Sequence, residues 1–213
     1  MSAAPDTPAV APRSKAKLVF FAVFLVLTAF VTFMKNKDAF DPASPMARHY
    51  APGMVWLIPH AIFAGLALLM GVFQFSNRLR ARYLGLHRKL GMAYVLCVFV
   101  GGPLAIPLAV KTGTPVLTAA TVVQTLGWMV CTAVALYCVK TGNVREHRRW
   151  MIRGYPFAMI FTVARLLIPL PPVQALGFVG IEIVVWTTIA LAAFLPSLFL
   201  DWAAIVSRRP TTA

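Results

Sequence analysis

Charge is scarce in this chain, and acidic charge is scarcest. Only 12% of the 213 residues are Asp, Glu, Lys or Arg, and 6 carboxylates face 20 Lys and Arg side chains, a formal net charge of +14. A soluble domain carries about 25% charged and about 45–50% apolar residues, whereas 60% of this chain is apolar. Cysteine is sparse as well. Cys97, Cys131 and Cys138 fall inside apolar runs, where cysteine behaves as a small hydrophobe. No CxxC or CxxCH is present, so thiol redox chemistry and covalent haem attachment have no motif to rest on. A P-loop, GxSxG, HExxH and a dinucleotide fingerprint are also missing. Soluble-enzyme chemistry is left without a signature.

What is present is a succession of long apolar runs. The hydrocarbon core of a bilayer, about 30 Å thick, takes roughly 20 apolar residues per helical crossing. Runs at 18–34, 54–75, 90–110, 115–139, 150–170 and 177–200 approach or meet that length and consume nearly the whole chain. The expected fold class is therefore all-α, a polytopic transmembrane bundle of about six helices. Residues 1–16, rich in Ala, Pro and polar side chains, are expected to be disordered, and 203–213 to form a short tail. The first run follows Arg13, Lys15 and Lys17 as the core of a signal peptide would. Lys35-Asn36-Lys37-Asp38 follows it instead of a small-residue cleavage site, so it reads as a retained helix. The third run carries Gly101-Gly102-Pro103 near its middle and Pro107 a turn later; each Pro frees a carbonyl, which predicts a kink or local unwinding there. Small residues four apart, Ala61 with Gly65 and Ala67 with Gly71, predict close helix contacts.

Topology accounts for the basic excess. Arg78, Arg80, Arg82, Arg88 and Lys89 share one side with Lys140, Arg145, Arg148 and Arg149, and both basic termini fall on that side too. The opposite side holds Lys35, Lys37, Arg48 and Lys111, offset by Asp38 and Asp41. Positive charge is retained in the cytoplasm, so both termini are expected there, in a bacterial inner membrane. The partner implied is a lipid bilayer with an anionic cytoplasmic leaflet, and no nucleic acid. A weak internal echo accompanies this. His87-Arg88-Lys89 precedes Tyr94 as His147-Arg148-Arg149 precedes Tyr155; a repeated helical pair and two similar basic loops account for it equally well.

The stretches HAIFAGLALLMGVFQFSNRLRARYLGLHRKLGMAYV and EHRRWMIRGYPFAMIFTVARL carry a resemblance. Their combination of His60, Gln74-Phe75, His87-Arg88, Gly91, Tyr94, His147-Arg148, Trp150-Met151 and Arg153 resembles a family of bacterial multi-pass membrane proteins, domain of unknown function 2306. The resemblance covers roughly residues 55–166 and implies a membrane location, with no activity to carry over. In architecture it is also similar to the helical bundles of b-type cytochromes.

Ionisable residues inside the hydrocarbon are costly and mark functional candidates with a partner. His60 lies about 9 Å into the second run, and Arg165 and Glu182 each about 8 Å from the outer ends of the fifth and sixth. One use of this layer is structural, an Arg165–Glu182 ion pair with His60 bonded to a carbonyl. Another is a polar pocket for an anionic or quinoid head group. A second cluster, with His87, His147, Gln74, Tyr94, Arg153 and Tyr155, is expected at the cytoplasmic boundary. Its two histidines suit a bis-imidazole haem, but lying next to Arg in loops that topology already explains they are better suited to meeting lipid phosphates. The candidate cofactor residues are therefore His60, Arg165, Glu182, His87, His147, Tyr94 and Arg153, with His60, His87 and His147 as candidate haem-iron ligands. Three functions fit: a redox protein holding haem b or a quinone, a non-catalytic accessory subunit of a larger respiratory or photosynthetic complex, or a small transporter.

Overall fold

The structure, a computed structural model, describes residues 15–31, Asp41 and 43–207. Lys35, Lys37, Arg208, Arg209 and nearly all of the expected N-terminal tail lie outside the described residues. In chain order the helices are α1 (Lys15–Phe30), α2 (Pro45–Tyr50), α3 (Met54–Gln74), α4 (Asn77–Arg82), α5 (Leu84–Thr112), α6 (Pro115–Lys140), α7 (Val144–Leu167), α8 (Pro171–Gln174) and α9 (Gly177–Ser207). A 3₁₀ turn, Ala51–Gly53, joins α2 to α3.

Local chemistry sets the helix starts. Ser44, Ser76, Thr114 and Asn143 each accept a backbone N–H from three residues on, at the heads of α2, α4, α6 and α7. Pro45 and Pro115 follow two of these caps, where a missing N–H costs nothing. Gly142 (φ 80°) and Gly177 (φ 56°) turn the chain into α7 and α9 through the left-handed region that side chains resist.

Four stretches are long and apolar enough to cross a membrane: Pro45–Gln74, Leu84–Thr112, Pro115–Lys140 and Gly177–Trp202. They coincide with the second, third, fourth and sixth expected spans. The described part of α1 has 16 residues, and α7 carries Arg153 and Arg165 within an otherwise apolar half. Both are helices at the expected positions. α5 begins six residues before the expected third span, because helical hydrogen bonding continues into the basic segment where apolarity stops.

α3 packs on α5, α5 on α6, α6 on α7, and α7 returns to α3, so these four close a ring. α9 lies against α7 and α6. α1 reaches α7 through the Phe24 ring against Tyr155 and a buried Thr28–Thr162 hydroxyl contact of 3.3 Å. The interior is built from Ala67, Leu68, Tyr94, Val98, Trp128 and Ala158. Large apolar side chains such as Leu126, Phe194 and Leu198 point outward, as a lipid solvent allows.

Of the two small-residue pairs, one is a contact. Ala67 is buried and Gly71 lies against the Tyr155 ring, whereas Gly65 faces open space and Ala61 is exposed. The expected unwinding of the third span does not occur: α5 runs as a helix through Pro103 and Pro107. Donors from the flanking helices reach the same stretch. His60 Nδ1 meets the Gly101 carbonyl at 2.8 Å, and Thr125 Oγ1 donates to that of Gly102 at 3.3 Å. Both bonds tie the glycine stretch of α5 to its neighbours, α3 and α6.

Candidate functional site

The expected outer layer resolves into three separate contacts. His60 holds α3 to α5 through Gly101, as above. Arg165 Nη2 donates to the Tyr50 hydroxyl at 3.3 Å, and its guanidinium lies over the Phe161 ring. Glu182 Oε1 accepts from Thr114 Oγ1 at 2.6 Å. The expected Arg165–Glu182 ion pair does not form. Among the described residues both ion pairs belong to Arg149, with Glu146 at 3.6 Å and Asp201 at 3.5 Å. Each side chain has a nearer partner on a different element: α2 for Arg165, the cap of α6 for Glu182. The effects of Arg165→Met and Glu182→Met on the unfolding free energy in detergent should therefore add within about 0.3–0.5 kcal/mol. Rescue of either loss in the double variant would contradict separate pairing.

The basic end of the bundle is where polar groups remain open. His87 and His147 are each the fourth residue of their helix, α5 and α7. Each backbone N–H bonds the carbonyl of its cap residue, Tyr83 or Asn143, at 3.0 Å. The echo in the sequence is thus an equal register on two helices that lie across the ring from each other. His147 Nδ1 lies 2.9 Å from the Ala135 carbonyl of α6. A carbonyl can only accept, so that nitrogen carries a proton. His87 Nδ1 is buried without a hydrogen-bond partner among the described residues. It lies within electrostatic reach of Arg80, His147 and Arg88.

Gln74 belongs to the same face. Its Nε2 is buried without a partner, and its Oε1 lies 3.2 Å from where a Cβ on Gly91 would stand, one turn along α5 from His87. Above them, on α4, Arg80 Nη2 bonds Asn77 Oδ1 at 3.0 Å. Burial, and then the neighbouring Arg148 guanidinium, hold Arg80 below the ordinary arginine pKa. Among the open groups here Gln74 Nε2 is a donor, whereas His87 Nδ1 donates or accepts according to its tautomer. Each buried unpaired donor costs about 1–3 kcal/mol. Such a set is chemically suited to an oxygen acceptor, an anion, or a metal that takes imidazole nitrogen.

Two expected members are elsewhere. Tyr94 is not at the boundary: it lies two turns deeper, is 1% exposed, and its hydroxyl accepts from Trp128 Nε1 at 2.9 Å. Arg153 turns to α9, where Nε donates to Ser197 Oγ at 3.2 Å, and stacks over Trp150. Helical rotation over the six residues from His147 carries it to another face. Tyr155 is likewise spent, donating to the Leu68 carbonyl at 2.7 Å. Sequence reasoning missed Trp128 as the partner of Tyr94, because no spacing links those positions. Thr114 carried a signal in its place before Pro115, the mark of a helix cap. Among the described residues no three His, Cys, Asp or Glu side chains gather around one point. The imidazole pair is what the basic end offers.

An all-helical ring with long apolar spans and large apolar side chains turned outward defines an integral, multi-pass membrane protein. The chain belongs to the family described as predicted membrane protein (DUF2306), which matches residues 57–205. Comparison with curated proteins and with solved structures gave no match.

Proposed function

We propose that this membrane protein is a redox protein that holds haem b at its basic end, with His87 and His147 as the iron ligands. One observation carries the reading: two imidazoles stand in equal register on helices across the ring. One has its Nδ1 proton committed to the Ala135 carbonyl, and the other keeps a buried nitrogen without a partner. A ligating histidine characteristically gives its second N–H to a carbonyl or carboxylate, which orients the ring. Haem b, when bound, supplies one-electron transfer. Of the chain's own residues, Ala135 would orient the His147 imidazole through its carbonyl. A quinone is the second reading, favoured by Gln74 Nε2, a buried donor at the same end that has no partner among the described residues and suits a carbonyl oxygen.

Protein purified from iron-supplied cells is expected to show a Soret band. His87→Ala and His147→Ala should each remove it while circular dichroism still reports a helical bundle. A colourless wild type with extractable quinone would move the site to the second reading. A wild type carrying neither would overturn both and leave an accessory subunit as the better account. The basic end is proposed to face the cytoplasm of a bacterial inner membrane, because Arg78, Arg80, Arg82, Arg88 and Lys89 cluster there. A cysteine placed at Asn77 should resist an impermeant thiol reagent applied to intact cells, and labelling from outside would reverse the orientation.

A further inference from the structure

We propose that Glu182, flanked by Phe178 and Trp186, forms a binding site for an apolar organic cation, a quaternary ammonium or phosphonium. The site lies at the end of the bundle opposite His87 and His147 and is independent of the haem assignment. Glu182 follows Gly177, the first residue of α9, at about 8 Å along the helix. It is half-buried, and its Oε1 accepts the Thr114 hydroxyl proton at 2.6 Å. That hydroxyl also accepts the Leu117 N–H at 3.2 Å at the head of α6, so both of its roles are fixed. The carboxylate is thereby fastened between α9 and α6.

A carboxylate within an apolar span is costly and calls for a counter-charge. Among the described residues none is supplied, because both ion pairs belong to Arg149 at the basic end. Arg165 is committed to the Tyr50 hydroxyl and the Phe161 ring. A hydroxyl neutralises no charge, and an ionised carboxylate offers about four acceptor positions, of which Thr114 takes one. The neighbours of Glu182 on α9 select the kind of cation. Residues four apart share a helix face, so Phe178 and Trp186 stand one turn to either side of it. They are 64% and 37% exposed, and aromatic faces attract a cation that gives up its water easily. A divalent metal ion takes about six oxygen ligands, and no three carboxylate, histidine or cysteine side chains gather here among the described residues. The ammonium of a lipid headgroup is tethered at the bilayer surface, whereas a free apolar cation enters the hydrocarbon to the depth of Glu182.

The test titrates the full chain in uncharged detergent with radiolabelled tetraphenylphosphonium, with bound probe measured by equilibrium dialysis against protein-free micelles. Wild type is expected to bind saturably. Glu182→Gln removes the charge and keeps the shape, and should weaken binding about tenfold, the worth of one charge-assisted contact. Phe178→Ala and Trp186→Ala should each weaken it about threefold. Glu146→Gln removes the same charge from the opposite end and should leave the affinity unchanged. Equal losses from Glu146→Gln and Glu182→Gln would overturn the site in favour of net charge. No saturable binding by wild type, or binding that survives Glu182→Gln intact, would overturn it outright. Triphenylphosphine oxide, apolar and uncharged, should not compete, and its competition would show that the carboxylate has no part. Displacement of the probe by phosphatidylethanolamine but not by phosphatidylglycerol would overturn the free cation in favour of a lipid ammonium. Circular dichroism checks that each variant is folded. Should Glu182→Gln not fold, the two aromatic variants decide, and unchanged affinity in both would overturn the proposal.

Discussion

Gly101→Leu is expected to yield no monodisperse, folded protein, although glycine to leucine inside an apolar helix is favourable by propensity. A Cβ on Gly101 would stand 2.9 Å from Phe63 Cβ and 3.0 Å from the Ala64 backbone nitrogen of α3. Real Cβ atoms are essentially never found under 3.0 Å, and a backbone atom cannot swing aside as a side-chain tip can. α3 would have to move bodily away from α5, carrying His60 off the Gly101 carbonyl that it meets at 2.8 Å. The single methyl of Gly101→Ala should cost about 1–3 kcal/mol, the range for overpacking. Gly65→Leu is the matched control, since nothing lies within 4 Å of its Cβ position. Size-exclusion profile and thermal midpoint in detergent decide the matter. A stable Gly101→Leu would mean that α3 and α5 do not meet there.

Tyr94→Ala should cost about 3–5 kcal/mol, as removal of a buried aromatic does. Tyr94 is 1% exposed at the centre of the ring, so the cavity cannot be filled by water or lipid without rearrangement. Tyr94→Phe separates the hydroxyl from the ring. It leaves the Trp128 Nε1–H, 2.9 Å from the hydroxyl in the native bundle, without its acceptor, a loss of about 1–3 kcal/mol. If that bond is the cause, Trp128→Phe combined with Tyr94→Phe should cost less than the two separate losses together. A neutral Tyr94→Phe in chemical denaturation would show that the bond contributes nothing.

Helix identity is legible in the sequence because it is written locally. The expected spans 54–75 and 115–139 differ by one residue at one end from α3 and α6, since Gly53 and Thr114 start those helices and polar residues end them. The start of α5 is less legible. Apolarity reports where the bilayer begins, whereas helical hydrogen bonding continues to Leu84 in the basic segment. The two candidate polar layers are legible as a set of residues, since His60, Arg165 and Glu182 are conspicuous among apolar neighbours. Their pairing is not. Arg165 and Glu182 share a depth, but partnership depends on helix rotation and on which neighbour stands opposite, and hydropathy carries neither quantity.

The sequence by itself determined that this is an all-helical membrane protein with one strongly basic end, because apolar run length and loop charge act additively along the chain. It also marked His87 and His147 as equivalent positions, since both stand beside Arg at the head of a helix. Only the tertiary structure decided that these histidines lie across one ring and that the His147 ring is oriented by Ala135. It also decided that Tyr94 and Arg153 leave the cluster their positions suggested, one to the core and one to α9. Such outcomes turn on ring order and on the rotation of each helix about its axis, which close packing of glycine, alanine and aromatic side chains sets and which no local property of the chain contains.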